Sequence, residues 1–226
     1  TSKTEEVEFE KIYNLKVVQV PTNRPIKRKD FPDLIYKSQY IKWRAIAQEC
    51  LEMYQIGRPV LVGTSTIEKS ELLAALLSEY QVPYRLLNAR PENVESESET
   101  VAQAGCKNAV TIATNMAGRG TDIVLGGNAS FRTNALLQVF TENPLQVPDE
   151  LNNIINSLDG MTLEVFGNAC QEFSNKTLTE VKASSDPVAP LYAKVYSQLL
   201  QTVANNAKKE GADIRNLGGL HVIGTE

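Results

Sequence analysis

Histidine occurs once in these 226 residues, at His221, and cysteine three times, at Cys50, Cys106 and Cys170. One histidine excludes the multi-histidine zinc and iron sites, and the cysteines stand far apart with no Cys-x-x-Cys pair, which suits a reducing compartment. Long apolar runs are also missing. The longest are pieces such as Leu72 to Leu77, well short of the ~18 residues of a membrane span, and nothing at the start reads as a signal peptide. The expectation is therefore a chain that neither spans a membrane nor is secreted. Charge of one sign is scarce as well: 23 basic against 27 acidic side chains leave a net −4 and a pI near 5.3. That balance argues against a partner held mainly through phosphates, so no nucleic acid is expected.

What is present is an ordinary globular composition, 42% hydrophobic and 22% charged with 13 glycines, able to bury a core. The length predicts one domain with an appendage, or two small domains. The chain begins at Thr1 rather than Met and stops at Glu226 directly after the strand-like run Leu220 to Gly224, and the expectation is a segment of something longer.

Two regions differ in charge and pattern. Residues 1–128 carry 16 basic and 16 acidic side chains, and residues 129–217 carry 7 and 10. In the first region Val17 to Val20 is a short, mostly β-branched run ended by Pro21. Trp43, Ile46, Ala47, Cys50, Leu51 and Tyr54 have the spacing of one buried helix face, closed by Gly57 and Pro59. Val60 to Val62, Tyr84 to Leu87 and Ala109 to Ala113 read as strands, and Leu73, Leu76, Leu77 and Tyr80 mark a helix between the first two. Short apolar strands alternating with helices predict the α/β class, a mostly parallel sheet covered on both faces, with ligands bound at the carboxyl ends of its strands.

Residues 129–217 read as helical. Leu151, Ile154, Ile155 and Leu158 follow the starter Pro148-Asp149-Glu150. Tyr192, Val195, Tyr196, Leu199 and Val203 form a second stretch, with Lys208 and Lys209 near its end and Gly211 as its stop. Met161 to Phe173 is ambiguous between strand and helix. Residues 218–226 return to β character, so the helical stretch reads as an insertion between two strands of one sheet. The expected division is 1–128 with 218–226, and 129–217.

The richest stretch is Val110 to Ile123. A strand runs into two glycines around an arginine, Gly118-Arg119-Gly120, followed by Thr121 and Asp122. Such a loop offers backbone N–H groups, a fixed cation and a carboxylate at the carboxyl edge of a sheet, which are the means of gripping a nucleotide. Arg119 can answer phosphate charge and Asp122 can accept from a ribose hydroxyl; the structural alternative is an Arg–Asp pair on a glycine turn. The run Gly63 to Ser70 has the first Gly, the Lys69 and the Ser70 of a phosphate loop, but Glu68 stands where the second Gly belongs. Ser65 as N-cap with Glu68 three residues on, a capping box for the following helix, explains it better. Arg24, Lys27, Arg28 and Lys29 read as a solvated connector, and His221 as a satisfied core or strand-end histidine. The sequons at Asn128 and Asn175 carry no weight without a secretory context.

Six phrases occur in one order: Pro21-Thr22-Asn23-Arg24-Pro25, Val60 to Thr64 with Ile67 to Glu71, Leu87-Asn88-Ala89, Val101 to Gly105, Thr111 to Gly127, and Gly218 to Glu226. Together they resemble the SecA family of preprotein-translocation motor ATPases over residues 1–128 and 218–226. The form Asn88 to Glu95 and the long insertion are most similar to the cyanobacterial and plastid branch. The resemblance implies the second of two RecA-like P-loop NTPase domains, which closes on ATP, bound as Mg-ATP by the first domain. It implies that Asp122 contacts the nucleotide and that Arg119 faces the nucleotide and the partner domain, with Gly118, Gly120 and Thr121 completing the motif. It also implies preproteins and a SecY-type channel as partners. The intact protein would then work in the cytoplasm or plastid stroma, peripheral at the cytoplasmic or thylakoid membrane.

The resemblance has gaps. The Walker A lysine and Walker B acids belong to the family's first domain, and the Gln-x-x-Gly-Arg-x-Gly-Arg motif expected soon after Glu226 is beyond the chain. No complete catalytic set and no protein metal site is expected, so the chain alone should be a poor ATPase. A second RecA-like domain of an RNA or DNA helicase is the alternative, and would predict a basic groove. An adaptor that lost nucleotide use is the other, against which both Arg119 and Asp122 speak.

Overall fold

The computed structural model describes residues 3–23, 25–87, 97–114, 123–143, 147, 149–157, 162–173, 181, 184 and 186–225. It divides into two compact units, Thr1–Tyr36 and Lys37–Glu226.

Among the described residues of the first unit, the helix is α1 (Glu6–Tyr13), which buries no side chain and ends at Asn14 in the left-handed conformation, φ 53°. Val17 to Val20 does not form a strand, and Val18 and Val20 are among the exposed large hydrophobics. β-branching favours extended backbone, but a strand also requires a neighbour for its N–H and C=O groups, and no described strand pairs with this run.

The second unit begins with α2 (Gln39–Gln55), whose first turn is capped by Ser38 Oγ accepting from the Ile41 N–H. The order continues β1 (Val60–Thr64), α3 (Ile67–Glu79), β2 (Arg85–Leu87), α4 (Glu97–Gln103) and β3 (Val110–Thr114). Four more helices are described before the last strand: α5 (Ala129–Glu142), α6 (Asp149–Asn156), α7 (Leu163–Phe173) and α8 (Ala189–Asn216), then β4 (His221–Gly224). The four strands pair in the order β2-β3-β1-β4, all parallel, with Val60 opposite both Val110 and His221. The expected α/β class is observed.

Alternation along the strands splits the core. Val60, Val62, Val110 and Ile112, with Ile223, pack against Trp43, Ile46, Ala47 and Cys50 of α2 and Leu73, Ala74 and Leu77 of α3. Ala113 and Leu87, with Leu61 and Ile123, meet Val101 of α4 on the opposite face. Helices therefore cover both faces, as right-handed crossovers in opposite directions along a parallel sheet require.

All described elements between β3 and β4 are helices, and they share a separate apolar cluster. Phe140 of α5, Leu151 and Ile155 of α6, Phe166 and Phe173 of α7, and Tyr192, Val195 and Leu199 of α8 are its centre. Met161 to Phe173, open between two readings, is helical from Leu163, because Phe166, Ala169, Cys170 and Phe173 fall on one side and are buried together. One sequence expectation fails in α8. Gly211 does not stop the helix, which runs five residues further to Asn216. The stop is Gly218-Gly219, both at positive φ (106° and 75°), with the Gly219 N–H donating to Ile214 O at 2.8 Å and the Gly218 N–H to Arg215 O at 3.1 Å. Gly211 has a different role, since a Cβ there would collide with the Leu125 carbonyl.

Candidate functional site at the carboxyl edge of the sheet

Because the strands are parallel, β1, β2, β3 and β4 all end on one edge, at Thr64, Leu87, Thr114 and Gly224. Two neighbouring strands, β1 and β3, end there side by side. From β1 the chain enters α3, on the Val60–Val62 face, whereas from β3 it returns at Ile123, on the Leu61–Ala113 face. In open parallel sheets, the carboxyl ends of adjacent strands whose connections pack on opposite faces are the common ligand position. Gly118, Arg119, Gly120, Thr121 and Asp122, the residues expected to hold nucleotide, lie outside the described residues. The sequence places them between Thr114, at this edge, and Ile123.

The described part of the edge is lined by threonines. Thr64, Thr114 and Thr225 are buried. Thr64 Oγ1 donates to Ala113 O at 3.4 Å, and Thr225 Oγ1 to Gly63 O at 2.9 Å, so these hydroxyls tie strand to strand. Lys42 Nζ, reaching from α2, donates to Thr225 O at 2.7 Å and so fixes the end of β4. At the opposite end of β4, Arg58 donates through Nε to Gly219 O at 2.8 Å and through Nη2 to Gly218 O at 2.9 Å. Neither basic residue stood out in the sequence: Lys42 lies in the amphipathic pattern of α2, and its target is a backbone carbonyl over 180 residues away.

The partial phosphate loop does not act as one. The N-cap of α3 is Thr66, whose Oγ1 accepts from the Lys69 N–H at 3.4 Å, so the expected cap at Ser65 is one residue early. Two adjacent hydroxyls compete for that place, and Thr66 has the extended backbone, φ −140° and ψ 160°, that a cap requires. Ser65 instead accepts from Lys69 Nζ at 2.8 Å. Ser70, fully buried, donates to Ile67 O at 2.6 Å. The lysine and serine of the pattern are thus both engaged within the turn.

His221 is a strand-end residue facing α2, with Nε2 2.7 Å from Glu49 Oε1. Of the basic cluster, Arg28 pairs with Asp30 at 2.6 Å with both side chains in solvent, where such a pair contributes little; Lys27 and Lys29 are exposed and Arg24 is outside the described residues. The cysteines are free. Burial pushes the thiols of Cys50 and Cys170 up to about 12, and that of half-buried Cys106 upward. Among the described residues, no three of His, Cys, Asp and Glu converge as metal ligands, and no helix is long and apolar enough to cross a membrane.

Residues 25–226 match the family described as the SecA P-loop domain. Over its full length the chain is 51% identical to the protein translocase subunit SecA of Emiliania huxleyi and 46% identical to that of Pyropia yezoensis. It is 41% identical to that of the cyanobacterium Picosynechococcus. The chain spans 27% of the length of the first two and 29% of the third.

Proposed function

The chain belongs to the SecA P-loop family, and from that premise we propose that it is the second RecA-like half of the ATP site in a SecA-type translocation motor. In this reading residues 1–128 with 218–226 form nucleotide-binding domain 2 and residues 129–217 form its helical insertion. The observation that carries the reading is that β1 and β3 pair in parallel up to Thr64 and Thr114, so both carboxyl ends lie side by side where the sequence leaves β3 directly into the run holding Arg119 and Asp122.

The nucleotide is Mg-ATP, held chiefly by the first nucleotide-binding domain of the same motor. Within this chain Arg119 meets the phosphates and the partner domain. Asp122 accepts a hydrogen bond from the nucleotide, and the backbone N–H groups of Gly118, Gly120 and Thr121 line the loop. The phosphates are not cradled by Gly63 to Ser70, since Lys69 and Ser70 are engaged locally. The chain contributes closure: with the γ-phosphate present the two halves are drawn together, and after hydrolysis the contacts at Arg119 weaken and the halves part. That two-state motion is what moves preproteins through a SecY-type channel. The motor acts from the cytoplasm or the plastid stroma, at the membrane surface.

In the full-length motor, Asp122→Asn and Arg119→Ala remove hydrogen bonds to charged groups worth about 1.5–3 kcal/mol each, a loss of roughly 10- to 100-fold in nucleotide affinity. Equilibrium titration with a fluorescent ADP analogue measures it, and unchanged affinity in both variants refutes the assignment. The helicase alternative predicts salt-sensitive binding of single-stranded RNA on filters, and tight binding at low salt would favour it.

A further inference from the structure

Immediately after Asp122, the chain is locked into a junction of three segments distant in sequence. Residues 123–128 lie between the turn that precedes β3, at the amino-terminal edge of the sheet, and the last third of α8. Approach is so close that side chains are excluded on every side: a Cβ at Gly105 would collide with the Val124 carbonyl, one at Gly126 with the Ala207 carbonyl, and one at Gly211 with the Leu125 carbonyl. Backbone bonds join the same pieces, from the Gly126 N–H to Gly105 O at 2.8 Å and from the Asn128 N–H to Ala102 O at 3.1 Å.

A single carboxylate closes the junction. Glu210 Oε1 accepts from the Lys107 N–H at 2.7 Å, and Oε2 from Arg132 Nη1 at 2.7 Å. The same Arg132 nitrogen donates to Gly126 O at 3.0 Å. With the side chains of Arg132 and Glu210 35% and 19% exposed, this pair is more sheltered from water than a surface ion pair. Packing on one side and a charged clasp on the other leave residues 123–128 no way to shift unless α8 shifts too. Helix α8 carries much of the insertion core and passes through Gly218-Gly219 into β4, whose far end reaches the candidate site.

We infer that Glu210 is a positioning residue for nucleotide: by clasping residues 123–128 to α8 through Arg132, it couples the anchorage of the segment that follows Asp122 to the placement of the long helix. The inference rests on the assignment of Arg119 and Asp122 proposed above. Coupling of this kind is reciprocal, so nucleotide at Asp122 tightens the clasp to the same degree that the clasp favours nucleotide. Cys106 reports on it. Its Sγ lies against Gly127 and donates to Gln103 Oε1 at 3.0 Å, whereas Cys50 and Cys170 are buried elsewhere.

The test uses the full-length motor, wild type and Glu210→Gln, with two readouts: affinity for a fluorescent ADP analogue, and the rate of Cys106 alkylation by N-ethylmaleimide with and without ADP. The expected result is a loss of affinity of about fivefold or more in the variant. ADP should slow Cys106 alkylation in the wild type and lose that effect in the variant. Wild-type affinity together with an intact ADP effect on Cys106 in Glu210→Gln overturns the inference. Asp122→Asn is the control: if it weakens ADP and Glu210→Gln does not, the clasp alone is wrong, and if it too leaves affinity unchanged, the nucleotide assignment has failed. Should Glu210→Gln not fold, Arg132→Lys, which keeps the charge and loses the forked geometry, is read against the same outcomes.

Discussion

Two glycines lie inside helices, Gly167 in α7 and Gly211 in α8, and replacing each by alanine should move stability in opposite directions. Helix propensity alone treats them alike: alanine in a helix interior is favoured over glycine by about 0.5–1 kcal/mol. Their surroundings separate them. A Cβ at Gly167 would sit 3.8 Å from the nearest atom, on the Phe140 ring, an ordinary van der Waals contact. At Gly211 it would collide with the Leu125 carbonyl oxygen and come within 3.0 Å of the carbonyl carbon, and backbone has no rotamer with which to yield. Overpacking of this kind costs about 1–3 kcal/mol, which outweighs the propensity gain. Gly167→Ala should therefore stabilise by about 0.5–1 kcal/mol and Gly211→Ala should destabilise by roughly 0.5–2 kcal/mol. For a chain of this size each kcal/mol moves Tm by about 2–4 °C, so melts of the two variants bracket the wild type on opposite sides. Urea titrations with unchanged m-values would confirm that the native state is responsible. If Gly211→Ala is as stable as the wild type, the close approach of α8 to residues 123–128 is wrong and so is the clasp built on it.

Further consequences are open to measurement. Thr111 is fully buried and its Oγ1 has no hydrogen-bond partner among the described residues. Thr111→Val should raise stability by about 1 kcal/mol in urea unfolding, by removing an unsatisfied hydroxyl without changing shape, and a loss of stability would mean that the hydroxyl is satisfied. The thiols should separate by environment: near pH 8, N-ethylmaleimide should modify Cys106 first and leave Cys50 and Cys170 until the chain unfolds, as mass spectrometry of the peptides would reveal. Those two buried thiols also set an alkaline limit. Their folded pKa values are raised from 9.0 to about 12, so the stability they contribute is complete below pH 9 and lost as pH rises toward 12. The loss is about 1.4 kcal/mol per pH unit for each thiol, and Cys170→Ala should flatten the pH dependence of unfolding in that window.

Where the sequence was legible, one side chain faced one environment. Trp43, Ile46, Ala47 and Cys50 repeat at helical spacing because a single face of α2 meets the sheet, and they are the residues buried there. The strand runs were equally plain, since residues covered on both faces are apolar almost without interruption. What remained hidden depended on partners far along the chain. Gly211 looks like a helix stop until Leu125 lies against it, and Glu210 looks like a solvated charge until it meets Lys107 and Arg132. The cap of α3 was displaced by one residue because Ser65 and Thr66 are chemically equivalent and only the backbone angles choose between them. The β-branched residues of Val17 to Val20 form no strand, because β-branching states a preference for extended backbone but not the presence of a neighbouring strand. The candidate site was legible as a kind of place, the carboxyl edge of a parallel sheet, while the threonine ties and the Lys42 contact that shape it could not be read from spacing.

In the proposed function this chain is half of an ATP site, with nucleotide contacts in Arg119 and Asp122, and Gly63 to Ser70 cradles no phosphate because Glu68 stands at the position of the second glycine. Phosphate release by the purified 226 residues in Mg-ATP tests that most directly. Turnover at the background rate is the predicted result, and robust hydrolysis abolished by Asp122→Asn would contradict it.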